Sequence, residues 1–488
     1  MATILNTCVA FMVAGISILF FLYHRRNTQA RALNEPPLLP YWIPFVGHAL
    51  WYGWRSNEVY LAARKFSPDS PPVSITLMGQ RIYIVTASKD VSAVYRAKSL
   101  SFNDLILWGL GAVFNISQQG RDTIAYKPAE QYNSSLLENS HWYYRDALKE
   151  GTTLNEFTTS FLDCLHVELA KEDSKIDASP KGLKICLRDW ARTILGTAST
   201  IAVMGPQILE EEPDLLKYNW QFDQDQVSFT LGLPRFLIQK QWANREKLIC
   251  AFEKVYKDRE TKQHDTIWWI PGRQRMLMEA GMSSDYDVGA STLPVWNALQ
   301  VNSNPAAFWL LLHIVTIPGL ADRIRSSIAL AFDSEGKRIT RTLRLYSNSI
   351  SVRAVTEDTI ISGYTFRKGG VVMCPVRPHH WDADIWGPDV EEFVPDRFIR
   401  ESAHGLIKGD AKLTRPFGGG TSLCPGRFFA LNEVISFVGT ILLKYDIRLD
   451  AGESIPRPNL NAPSLAFSAP MNDVEVVITK RSVSAGPT

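Results

Sequence analysis

The feature that most constrains this chain is the segment Pro416-Phe-Gly-Gly-Gly-Thr-Ser-Leu-Cys-Pro-Gly-Arg-Phe-Phe-Ala430. Three consecutive glycines open positive φ values and allow the backbone to pass close to a flat ligand without side-chain clash. Pro425 follows the cysteine and is favoured in the first turn of a helix, so Cys424 is expected at a helix mouth. Backbone amides and the helix N-terminus favour a thiolate there. A lone cysteine is more often a small buried hydrophobe, and the spacing of the whole segment weighs against that reading.

The remaining five cysteines, Cys8, Cys164, Cys186, Cys250 and Cys374, are scattered with no C-x-x-C pair. Neither a zinc site nor a disulfide framework is indicated, and the bulk of the chain reads as facing a reducing compartment. With 52 basic and 50 acidic residues the formal charge is +2, and no long single-sign block occurs. Nucleic acid is therefore excluded as an expected partner.

Residues 4–23 carry no charge and are followed by His24, Arg25 and Arg26. Twenty such residues match the hydrocarbon thickness of a bilayer, roughly 30 Å, and the basic cluster places the C-terminal body in the cytosol. A membrane anchor over 1–26 is expected, then a proline-rich hinge over 27–47 and a catalytic domain over 48–488. Val73 to Thr86 is rich in β-branched residues and broken at Met78-Gly-Gln80, which predicts a hairpin. Residues 88–330 read as mostly helical, with an aromatic-rich interval over 220–242. Strand-like pieces return at 350–355, 371–375 and 474–478. The fold class expected is mainly α with a small β portion.

A long helix is predicted over 295–313, with a local break at Pro305, which cannot donate to the carbonyl of Val301. Asn302, one turn before the proline, either caps the broken turn or offers its amide to a ligand.

The cysteine segment resembles the ligand loop of the cytochrome P-450 family, Phe-x-x-Gly-x-Arg-x-Cys-x-Gly. Phe417, Gly420, Cys424 and Gly426 match it, while Ser422 stands in place of the arginine that contacts a haem propionate. A second match is Phe393-Val-Pro-Asp-Arg-Phe398, preceded by Trp386-Gly-Pro-Asp-Val-Glu-Glu392. The resemblance implies that Arg397 joins a Glu-x-x-Arg pair in a buried triad. Here that pair reads Arg341-Thr-Leu-Arg344, so the glutamate is replaced by arginine. Either another acid such as Glu335 supplies the partner, or the segment has been shortened. Arg353 matches an arginine that holds a haem propionate. Asn302 and Pro305-Ala-Ala-Phe-Trp309 are similar to the subgroup of prostacyclin synthase and the sterol 7α- and 12α-hydroxylases.

What the resemblance implies is a single catalytic domain of the P-450 fold behind a transmembrane helix, in the endoplasmic reticulum membrane. Heme b is the implied cofactor, with Cys424 as its iron ligand, and Asn302 is a candidate catalytic residue. The implied partners are O2, an NADPH-cytochrome P-450 reductase and a lipophilic small-molecule substrate such as a terpenoid, steroid-like or polyketide intermediate of fungal secondary metabolism. A donor-independent isomerase or dehydratase is the alternative, and a catalytically impaired haem protein is a third reading motivated by Arg341.

Overall fold

The computed structural model describes residues 34–41, 45–66, 70–126, 135–261, 269–328, 343–395, 414–460 and 467–481, with the single residues Gly15, Ser17, Ile43 and Arg397. The expected anchor, together with Glu335 and Arg341, lies outside the described residues. Among the described residues no single helix is long and apolar enough to cross a membrane.

Among the described residues the architecture is mainly helical with three small sheets. Strands β1 (Val73–Leu77) and β2 (Gln80–Ile84) form the predicted hairpin, in antiparallel register from Val73 opposite Ile84 to Leu77 opposite Gln80. Its two-residue turn puts both Met78 and Gly79 at positive φ, 48° and 82°, the conformation whose twist matches that of the flanking strands. The hairpin joins β3 (Leu100–Ser101), β5 (Ile350–Val355) and β8 (Val371–Pro375) in the order β1-β2-β8-β5-β3. A second sheet has the order β4-β10-β9, formed by Leu183–Cys186, Glu475–Lys480 and Tyr445–Leu449, and β6 (Thr359–Ile361) pairs with β7 (Tyr364–Phe366). Of the three strands expected in the second half, β5 and β8 appear with the predicted bounds, and the one expected over 474–478 appears as β10, Glu475–Lys480. Strands β3 and β4 interrupt the interval read as helical, and they are too short to show a period of two.

The described part of the proline-rich stretch is not a free spacer. Leu39 N donates to Ser74 O at 2.9 Å and Ser74 N to Pro37 O at 2.8 Å, which lays the stretch along β1. Leu38 and Leu39 are buried there, so this part belongs to the body of the fold.

The core is organised around one helix, Asp285–Thr316, of 32 residues. It packs against Leu187–Met204, Gln239–Thr261 and Arg427–Lys444, and its side chains are buried on most of its circumference. Ser284 caps its start by accepting from Asp287 N. The helix begins ten residues before the predicted start and is continuous through both Pro294 and Pro305, so the expected break is corrected. Side-chain amides add hydrogen bonds to the turn before the proline: Asn304 Nδ2 donates to Gln300 O at 2.7 Å and Asn302 Nδ2 to Ala298 O at 3.2 Å. Near the end of the helix Trp309 stacks on Tyr346 at 3.9 Å and donates to Ser468 O at 2.8 Å, tying the helix to the chain segments beyond it.

Candidate active site

Cys424 is held by its own loop. Its amide donates to Phe417 O at 3.0 Å, closing the segment, and Arg427 Nη1 donates to Cys424 O at 3.0 Å. The following helix starts at Arg427 with Gly426 as its N-cap, so the thiol sits at a helix mouth as expected. The amides of Gly426 and Arg427 donate to the sulfur, yet burial outweighs them and holds the thiol above its ordinary value. The expectation of a low thiol in the protein alone is therefore corrected. A cation bound at the sulfur is needed to favour the thiolate.

The glycines also serve a different purpose from the one expected. A Cβ on Gly419 would come within 2.6 Å of the Tyr95 ring, and one on Gly420, at φ +63°, within 2.7 Å of Tyr95 O. The loop thus gains its close approach to the helix Ser88–Arg96, which carries Tyr95. That contact fixes the height of the cysteine segment above the sheet strand β5, where Tyr95 Oη shares a 2.8 Å hydrogen bond with Ser351.

A cavity of about 1270 Å³ borders this loop. Leu423 and Pro425, the two neighbours of Cys424, lie on its wall together with Gly420, Phe428 and Arg353. Pro294 and Val295 of the central helix line the same cavity. Between 287 and 314 of that otherwise buried helix the accessible positions are 294, 295, 298, 299, 301, 302 and 305, one stripe at helical spacing. Asn302 lies on it, two turns beyond Val295. Its Oδ1 is buried without a hydrogen-bond partner. Of the residues predicted for the site, Arg353 and Gly420 line the cavity, Cys424 sits between two lining residues, and Asn302 shares the lining stripe. Phe417 and Gly426 shape the loop from behind.

Arg353 is buried between the rings of Phe102, at 4.9 Å, and Tyr95, at 5.4 Å. Its Nη2 donates to the Ser422 hydroxyl, and that hydroxyl donates in turn to Gly419 O at 3.1 Å. Ser422 does more than leave out an arginine, because it ties Arg353 to the cysteine loop. Arg145 lies over the Trp142 ring at 4.3 Å, and both line the cavity. The residue set fits haem: a soft sulfur ligand suits its iron, and Arg145, Arg353 and Arg427 on the wall suit its two carboxylates.

The bracing arginines find a carboxylate that the sequence reading did not assign. Arg344 is buried and donates to His380 O at 2.7 Å. Arg397 donates to Trp386 O at 2.6 Å and to Asp389 O at 2.9 Å, and pairs with Asp389 Oδ1 at 3.0 Å. Burial and the neighbouring Arg397 lower Arg344 to about 10, and Asp389 opposes them. Among the described residues Asp389 is therefore the acid of this cluster. It lies eight residues before Arg397, inside a segment quoted for its resemblance alone. A second residue missed is Glu433, a carboxylic acid wholly enclosed on the helix that follows Cys424. A lone acid among apolar residues in that helix was the available signal. Trp142 and Arg145, spaced three apart on a helix, were a third.

The comparisons agree with the geometry. The Cytochrome P450 family model matches residues 336–476, which include the cysteine loop. The chain is 27% identical to the cytochrome P450 monooxygenase poxD of Penicillium oxalicum over 464 residues, covering 90% of this chain and 93% of that one. It is 25% identical to the 5-beta-cholestane-3-alpha,7-alpha-diol 12-alpha-hydroxylase of Sus scrofa, covering 94% and 96%. A solved structure, retinoic acid bound cyanobacterial CYP120A1, superposes with a TM-score of 0.70 at 18% identity, covering 92% of this chain and 100% of that chain, which establishes the fold. With a cysteine at a helix mouth, a cavity beside it and relatives matched along nearly their whole length, the chain resembles the cytochrome P450 family, and the comparisons support an oxidoreductase of the P450 monooxygenase type.

Proposed function

We propose that Cys424 is the axial ligand to the iron of haem b, and that the chain oxidises a lipophilic small molecule with O2 and electrons from an NADPH-cytochrome P450 reductase. The observation that carries this reading is the position of Cys424 between two cavity-wall residues, with the amides of Gly426 and Arg427 on its sulfur. Haem bound there would supply the reductive activation of dioxygen. Arg353, fixed by Ser422, and Arg145 would hold its propionates by charge-assisted hydrogen bonds. Phe417, Gly420 and Gly426 set the shape of the loop.

Asn302 acts on the side of the cavity formed by the central helix. One hydrogen of its amide is committed to Ala298 O, and its Oδ1 is an acceptor that a substrate hydroxyl or a water would satisfy. The relatives favour a terpenoid, steroid-like or polyketide substrate of fungal secondary metabolism. The pairing of Asp389 with Arg397 beside Arg344 argues against the impaired-protein reading, because the arginine cluster has its acid.

Attachment to the endoplasmic reticulum membrane is supported by the uncharged stretch 4–23. It is also supported by Leu231, Leu233, Phe236 and Leu237, which expose apolar side chains within seven residues, Phe236 by 71%. Such a cluster inserts at a lipid interface without spanning it. The test of function is NADPH consumption with reductase, coupled to an oxygenated product. Turnover of a substrate without NADPH or reductase would replace the monooxygenase reading with the isomerase one.

A further inference from the structure

The cavity is far more cationic than haem alone explains. Seven arginine and lysine side chains line it, against a single carboxylate, Glu138. That carboxylate is itself committed: it accepts from the Ser135 amide at 2.9 Å and from Asn103 Nδ2 at 3.3 Å. Two propionates satisfy only part of this charge. Most of the cations are accessible and can turn to water, but Arg353, already assigned to a propionate, and Arg273 cannot. Arg273 is 7% exposed, on the helix Trp269–Glu279.

Arg273 is fixed in place with no carboxylate paired to it among the described residues. Its Nη2 donates to Ser291 O at 2.8 Å and its Nη1 to the Ser291 hydroxyl at 3.3 Å, and its charge acts on the buried Tyr144 hydroxyl. Its Nε has no partner. No carboxylate among the described residues forms an ion pair with it. A buried guanidinium without a counter-ion is costly, so a cavity wall that keeps one is built for an anion that arrives from outside. The cavity also has an apolar part: Leu110, Ile124, Leu277 and Val295 line it as well. A cavity that joins apolar side chains to a fixed cation left over from the haem recognises an amphiphile by its charged end.

We propose that Arg273 is a carboxylate-binding site in the substrate cavity, and that the substrate is a lipophilic acid. The site accepts the carboxylate at the planar guanidinium, and the apolar wall takes the hydrocarbon. This rests on the monooxygenase reading and narrows its substrate class.

The test is equilibrium dialysis of the full-length haem-loaded enzyme with radiolabelled decanoate and with decanamide, which has the same chain and no charge. The parent is expected to bind decanoate at least about tenfold more tightly. Arg273→Gln and Arg273→Met should lose that preference and keep their affinity for decanamide, with haem content and the reduced carbon-monoxide band unchanged. Absence of decanoate binding, or of any preference in the parent, overturns the proposal without a variant being needed. So does a preference that survives in Arg273→Gln. Loss of haem in both variants, with the preference intact in the molecules that keep it, would assign Arg273 to a haem propionate instead. The carbon-monoxide band of the parent reports separately on the haem-thiolate reading.

Discussion

Glu433 offers a prediction that can be worked through to a number. It is wholly buried on the helix Arg427–Lys444. Ser199 donates to its Oε1, Ser303 of the central helix lies against the carboxyl, and Oε2 has no partner. Burial is the dominant influence and raises the carboxyl from 4.5 to about 7. In the folded protein the group is thus neutral up to near neutrality, while in the unfolded chain it ionises above about pH 4.5. The unfolded state then holds fewer protons than the folded state, so stability falls as pH rises across this window. At about 1.4 kcal/mol per pH unit, the loss between about pH 4.5 and 7 is roughly 3 kcal/mol. Glu433→Gln keeps the shape and removes the titration. With an unfolding entropy of ~1 kcal/mol/K for a chain this long, its Tm should rise relative to the parent by ~3 °C between about pH 5 and 8. Circular-dichroism melts of the two haem-loaded proteins at matched scan rates read this difference. Parallel pH profiles would show that Glu433 is ionised in the fold and would refute the reasoning.

Asp389→Asn should cost about 1–2 kcal/mol, less than a fully buried pair because the carboxylate is partly exposed, and Asp389→Glu should restore part of it; chemical denaturation followed by the Soret band checks both. Removing residues 1–26 should release much of the protein from membranes with haem retained, and adding Phe236→Ser and Leu237→Ser should release the remainder, as fractionation with and without carbonate will read. Full retention of the doubly altered chain in the membrane would refute that attachment. Asn302→Leu removes the unpartnered Oδ1 and should lower product formed per NADPH consumed by about tenfold or more, with substrate affinity moved far less; unchanged coupling would limit Asn302 to its hydrogen bond with Ala298.

Much of the site was legible in the sequence because its constraints are local. The cysteine loop, its Pro-Gly exit and the hairpin at Met78-Gly79 each depend on backbone conformations that a few neighbouring residues dictate. Strands β5 and β8 were legible for the same reason, as short β-branched runs between turn residues. What stayed hidden was set by tertiary contact. The three glycines were read as room for a ligand, whereas two of them make room for Tyr95, more than 300 residues away in sequence. Pro305 was read as a break, whereas the surrounding core keeps the helix intact and the amides of Asn302 and Asn304 add side-chain hydrogen bonds to the carbonyls of Ala298 and Gln300 in the turn before it. Asp389 was overlooked because a triad written as Glu-x-x-Arg directs attention to one helix, while the acid here comes from the loop that also holds Arg397. Arg273 carries no motif at all, and its isolation from carboxylates is visible only once the cavity is formed.

The claim on which the rest depends is that Cys424 binds the iron. The reduced carbon-monoxide complex of the purified full-length chain tests it directly, because the thiolate's electron donation shifts the Soret band to the red. The parent should show the red-shifted band that gives the family its name, and Cys424→Ala should lose it while far-ultraviolet circular dichroism remains that of the parent. A red-shifted band retained in Cys424→Ala, or absent from a parent that carries full haem, would contradict the assignment.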